Sequence, residues 1–176
     1  MSYGTLREKL ENMAMFQMLT ILLLFQPQSE LKQENLNALV GKWDGTLTYT
    51  NYGDDETRVT LETRMEATFE WKKERIKFKL FYTEPNGEVK TGGQSLGLGK
   101  KSGTIFYNKT YEVVESEVKA EEKWSITIQK EGKDNNRNST IRHIIELNDD
   151  ELTIRKMVRY EGTEIFFERN IHSFQR

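Results

Sequence analysis

Residues 59–71 alternate with a period of two. Val59, Leu61, Met65, Ala67, Phe69 and Trp71 place mostly apolar side chains on the odd positions, and Thr60, Glu62, Arg64, Glu66, Thr68 and Glu70 fill the even ones. A helix would scatter that pattern around its axis, whereas a β-strand gathers it onto one buried face. The same period marks 75–82, 124–128, 140–147, 152–160 and 163–171, with weaker strands at 94–98, 104–107 and 111–118. Turn-forming clusters rich in Gly, Asn, Asp and Pro separate them at 51–55, 84–87, 99–103, 130–136, 148–150 and 161–162. Short connections make sequence neighbours sheet neighbours. The expected fold is therefore all-β: eight to ten antiparallel strands in up-and-down order, which hide their edges most simply by joining first to last as a barrel. A barrel of this size leaves an interior able to hold one small ligand. A two-sheet sandwich is the alternative that turn spacing leaves open.

A chain of 176 residues favours one domain with a single core. Lys+Arg 26 against Asp+Glu 28 gives a net charge of −2, and no basic block interrupts the mixture, so the footprint of a nucleic-acid binder is missing. With zero Cys there is no disulfide framework, thiol nucleophile or Cys-ligated metal. Ahead of the strands, residues 13–25 form an apolar run too short to span a bilayer but suited to the core of a secretory signal, ended by Gln26-Pro27-Gln28-Ser29. The mixed charges of Arg7, Glu8, Lys9 and Glu11 and the lack of an Ala-x-Ala site keep a second reading open, an amphipathic helix docked on the barrel through Leu6, Leu10, Met13 and Gln17 or Met18. The chain divides into an N-terminal segment, 1–29, and a barrel domain, 30–176. Its expected location is secreted or periplasmic, with the cytoplasm as the alternative.

Leu39-Val40-Gly41-Lys42-Trp43, following a short helical lead-in over 31–39, resembles the Gly-x-Trp motif of the lipocalins and their calycin relatives. Together with 41–52, 138–143 and 153–160, it also resembles an uncharacterised group of lipocalin-like bacterial envelope proteins. The resemblance covers roughly 39–176. It implies that Trp43, introduced by Gly41, plugs one end of the barrel and that Arg169, in Phe166-Phe167-Glu168-Arg169-Asn170, packs across the indole from the last strand. It transfers no activity.

Strand parity then sorts the side chains. With Trp43 inward, Gly45, Leu47, Tyr49 and Asn51 follow it; on later strands the inward sets are Ile141, His143, Ile145 and Leu147, then Leu152, Ile154, Lys156, Val158 and Tyr160, then Ile165, Phe167, Arg169 and Ile171. Tyr49, Asn51, His143, Lys156 and Tyr160 become candidate ligand-binding residues on an apolar wall, where each buried polar group needs a neighbour, a water or a ligand. Structural roles compete: Lys156 can snorkel through a barrel end and His143 can be a satisfied core histidine. The outward row Arg142, Arg155 and Arg159 reads as a solvated face balanced by Glu146, Glu164 and Glu168.

Signatures of catalysis are thin. The chain lacks a Gly-x-Ser-x-Gly elbow, and 92–99 is glycine-rich without the Lys of a phosphate loop. Two His, at 143 and 172, make no histidine-rich metal site. A lone axial His could hold haem, but the haem-binding calycins carry a glycine-rich stretch where this chain has Thr46-Leu47-Thr48-Tyr49, so no cofactor is expected. The leading expectation is a non-enzymatic barrel binding a small hydrophobic or amphipathic molecule. Two others stand beside it: a calycin-type isomerase or cyclase using His143 or Tyr160, and a packed barrel acting as an interaction module with an envelope protein partner.

Overall fold

The computed structural model describes residues 30–176. The expected signal or docked helix over 1–29 lies outside the described residues. After a short helix α1 (Gln33–Asn37), ten strands follow: β1 (Gly41–Thr50), β2 (Arg58–Glu70), β3 (Arg75–Thr83), β4 (Val89–Leu98), β5 (Thr104–Tyr107), β6 (Lys109–Ala120), β7 (Lys123–Asp134), β8 (Arg137–Asn148), β9 (Glu151–Tyr160) and β10 (Phe167–Gln175). They close into one antiparallel barrel, each strand paired with its sequence neighbours and β1 with β10. This architecture is consistent with the calycin-like barrel and rules out the sandwich.

Several strands run further than their alternation suggested, β4 and β7 furthest. The expected turn at 130–136 shrinks to Asn135 and Asn136, whose φ of 49° and 61° make the two-residue turn that suits the twist of a hairpin. β7 therefore extends to Asp134, and its even positions stay on the inward face of Trp124. The glycine-rich 92–99 stretch lies largely within β4 rather than in a rim loop. At the β1–β10 seam, a Cβ on Gly45 would lie 1.9 Å from the Ser173 carbonyl oxygen, so only glycine lets the first and last strands approach this closely.

The last strand departs most from expectation. β10 starts at Phe167, leaving Ile165 on the preceding loop and 79% exposed instead of inward. A bulge between Glu168 and Asn170 then adds a residue against β9. An extra residue inverts parity beyond it. Ile171 thus faces outward opposite Thr48, and His172 and Phe174 turn inward opposite Leu47 and Gly45.

The barrel's two ends differ. At the closed end, α1 lays Leu36 and Leu39 over Trp43, Met65, Ile76, Phe78, Leu96, Trp124, Ile126, Ile145 and Leu147 in one continuous core. Trp43 donates its indole N–H to the Leu39 carbonyl at 2.9 Å, and Trp124 donates to that of Asn35 at 3.1 Å. The resemblance's pairing of Trp43 with Arg169 is overturned. Asp44 faces Gln175 and Tyr49 faces Asn170 across the seam. That register brings the position after Gln175 opposite Trp43, and the guanidinium over the indole, 4.7 Å from its centroid, belongs to Arg176. Arg169, some seven residues back along β10, lies roughly 20 Å away at the open end, at about 3.3 Å per residue.

Candidate functional site

At the open end, the bulge that redirects β10 aims Arg169 into the barrel mouth, where it is fully buried. Its guanidinium donates to Asp134 at 3.0 Å, Asp55 at 2.8 Å and the Tyr160 hydroxyl at 2.5 Å. Asp134, 1% exposed at the end of β7, also receives Lys156 at 2.5 Å and the hydroxyls of Tyr52 and Tyr160 at 3.3 Å. Arg137 donates to Asp55 at 2.6 Å and stacks on Tyr160 at 3.5 Å from the ring centroid. Burial pushes the Asp134 carboxyl up, yet its bond to Lys156 and the charges of Lys156 and Arg169 outweigh that and hold it below its ordinary value. Arg169 is held above its ordinary value: burial opposes its charge, and the Asp55 bond with the Asp134 charge overcomes it. These contacts satisfy the cluster internally. They also latch the β1–β2 loop (51–57), which supplies Tyr52 and Asp55, across the mouth.

Deeper, register places Tyr49, Asn170, Lys156 and His143 on one row of the inner wall across β1, β10, β9 and β8. Three of the five expected ligand-binding residues share that row. Tyr160 sits two levels nearer the mouth, beyond Val158, tied to Arg169 and Asp134. Asn51 does not join them: it is exposed at the end of β1, and its side chain accepts the Gly53 amide at 2.9 Å to shape the loop.

His143, buried, lies edge-on to Tyr107 and Tyr111 at 4.7 and 5.3 Å between ring centroids. Burial pulls its pKa down to about 3, helped by the charges of Lys156, Lys130 and His172, so the imidazole is neutral near pH 7. Its Nδ1 is buried and has no hydrogen-bond partner. His172, drawn down to about 4 by burial, contacts the Tyr82 hydroxyl at 3.5 Å and stacks on Phe174. Tyr107 donates to Gln94, and burial raises its hydroxyl pKa. Burial likewise pushes Tyr111 up to about 12. Lys130 reaches over the Tyr111 ring at 5.3 Å, and burial, Lys109 and Lys156 all depress its pKa. No carboxylate lies within ion-pair distance of Lys130 among the described residues.

Sequence reasoning missed Lys130 and Asp134 because β7 was cut short. Continued parity from Trp124 would have found both. It missed His172 because nothing in the residues announces the bulge, and Tyr82, Tyr107 and Tyr111 because their hydroxyls looked like ordinary strand chemistry.

At the open rim, one groove of about 510 Å³ is lined by Ser139, Thr140, Arg159 and Tyr160 among others, and at the closed end a second of about 490 Å³ is lined by Phe69, Trp71, Arg75 and Leu98. Neither is lined by His143. Among the outward arginines, Arg142 donates to Gln129 and stacks on Phe166, Arg159 donates to Thr140, and Arg155 lies 3.8 Å from Glu146 with its buried Nε lacking a hydrogen-bond partner. The described residues hold no group of three or more His, Cys, Asp or Glu placed to bind a metal ion. No described helix is long and apolar enough to cross a membrane. In comparisons with known proteins, the chain matches no family model and no curated protein.

Proposed function

We propose that this chain is an exported, lipocalin-like carrier that binds a small amphipathic molecule with an acidic head inside the open half of its barrel. The observation that carries the reading is the buried, unpartnered Nδ1 of His143. A polar atom left unpaired in such a place costs about 1–3 kcal/mol, which a ligand that bonds it would recover. With Lys130 lacking a carboxylate and Lys156 nearby, the neutral imidazole donates to an anionic oxygen while the ammonium groups balance its charge. Tyr49, Tyr107 and Tyr111 supply flat apolar walls for the remainder of the ligand, at about 25 cal/mol per Å² buried. Entry is through the mouth, past the loop latched by Arg169 and Asp134.

Titration with 1-anilinonaphthalene-8-sulfonate, an amphipathic anion whose emission rises in apolar surroundings, tests this directly. Stoichiometric binding should weaken about tenfold in both Lys130→Met and His143→Phe, and native mass spectrometry of protein from its own host should show a co-purified small acid. Binding unchanged by both substitutions would refute the site. A second reading, a packed interaction module, is favoured by the 510 and 490 Å³ grooves at the two ends of the barrel, neither of which is lined by His143. It predicts no internal binding at all.

A further inference from the structure

The groove at the closed end holds a feature that a ligand in the barrel does not explain. Between β2 and β3 the chain makes a tight 3-10 turn over Trp71–Lys73, and Trp71 is 83% exposed. Its ring is held edge-on by Phe69 at 4.7 Å, so the indole stands out as a fixed platform rather than lying on the barrel wall. Leu98, 39% exposed, lines the same groove. Cationic residues surround it: Lys73, Arg75 and Lys100 line the groove, and Lys72 and Lys101 adjoin them in sequence. Glu74 also lines the groove and Glu70 pairs with Lys73 at 3.1 Å, which leaves the cations in excess around Trp71, five against two, whereas the carboxylates Glu121, Glu122, Asp149 and Asp150 lie in the other two turns of this end. The described chain enters at this end too. Glu30 lies beside Ser102 and Gly103 of the β4–β5 turn, whose Gly99 and Lys100 border the Trp71 groove. In sequence, the apolar run 13–25 closely precedes Glu30.

We infer that the Trp71 side of the closed end docks on an anionic lipid bilayer, with Trp71 set at the headgroup level and Lys72, Lys73, Lys100 and Lys101 facing acidic headgroups. Indole rings favour that depth because the ring is apolar and its N–H is polar, and lysines beside an anionic surface gain from its potential. The opposite end, with the barrel mouth, then faces away from the bilayer. This inference stands independently of what the barrel binds.

Fluorescence reads it without labels. The chain has three Trp, and Trp43 and Trp124 are 0% and 4% exposed, so a change in emission on adding vesicles reports Trp71. The full chain is mixed with vesicles of phosphatidylglycerol and phosphatidylcholine, or of phosphatidylcholine alone. A blue shift with the anionic vesicles only is expected, and co-sedimentation with them, which is read without tryptophan emission, should weaken in Trp71→Phe. The quadruple variant Lys72→Gln, Lys73→Gln, Lys100→Gln, Lys101→Gln should partition at least about tenfold more weakly, while circular dichroism shows both variants retaining the fold. Three results would overturn the inference: no partitioning, partitioning equal in all three proteins, which would assign it to the 13–25 run alone, or a Trp71 already shielded from acrylamide without lipid, which would mean that residues 1–29 or a second copy cover it.

Discussion

The two ends of this barrel solve the same problem with opposite chemistry. At the closed end, ten strands converge on a plug of Leu36, Leu39, Trp43, Phe78 and Trp124, whose indole N–H groups donate to carbonyls. At the open end, the convergence is held by Arg169, Asp134, Asp55, Lys156 and two tyrosine hydroxyls. An apolar plug tolerates small losses and exchanges of volume. A buried ionic cluster is all-or-nothing, because removing one member leaves charges in a medium that solvates them poorly. The difference teaches where this fold is rigid by packing and where it is held by charge.

The largest effect should come from cutting the cluster at its hub. Asp134→Ala strands both Arg169 and Lys156 and should cost about 3–5 kcal/mol in chemical denaturation, whereas Asp134→Leu combined with Arg169→Met and Lys156→Met should recover most of that loss. If the single and triple variants were equally unstable, the cluster would not behave as a charge-balanced unit. Acid comes next. His143 and His172 have folded pKa values lowered from 6.5 to about 3 and about 4, so the unfolded chain binds more protons below pH 6.5. Their stabilising contribution is complete above that pH and is lost as pH falls toward 4 and 3; the lowered Asp134 carboxyl adds a loss in the same direction at still lower pH. Together the histidines should remove on the order of a few kcal/mol between pH 7 and 4. His143→Phe with His172→Phe should flatten that slope, and an unchanged pH profile would show the rings to be solvated.

A smaller effect belongs to the seam that both ends share. Gly45→Ala forces a methyl group to within 1.9 Å of the Ser173 carbonyl unless β1 and β10 part. Overpacking of this kind costs about 1–3 kcal/mol. Hydrogen exchange should show the loss concentrated in β1 and β10, and uniform exchange along the barrel would argue against a local seam.

Much of the barrel is legible in the residues because alternation is a direct record of which face is buried. The runs 59–71 and 140–147 name their inward side chains correctly as far as Leu61, Met65, Ala67, His143 and Ile145, all buried. What fails is anything that depends on register between distant strands. The bulge before Asn170 exchanges Ile171 for His172, and the seam's register hands Trp43 to Arg176 rather than Arg169. Lys156 could be identified as a cation needing a partner, but its partner Asp134 stood in what read as a turn. A carboxylate at a hairpin's end is indistinguishable in sequence from a solvated one; only the closure of the barrel buries it.

Arg176→Ala separates the two kinds of end most finely. The side chain lies over Trp43, donates to the Ala38 carbonyl at 2.8 Å and pairs with Glu122 at 2.8 Å and Asp150 at 3.1 Å. It is a charged clasp across the closed end, and it is partly exposed. Solvent screens its ion pairs, so their removal costs little, while the stacking over indole and the carbonyl bond leave a loss of about 1 kcal/mol. The same truncation at Arg169 should cost several times more. Should the two substitutions prove equal in thermal or chemical denaturation, the plug would depend on its clasp as the mouth depends on its cluster, and the contrast between packing and charge would collapse.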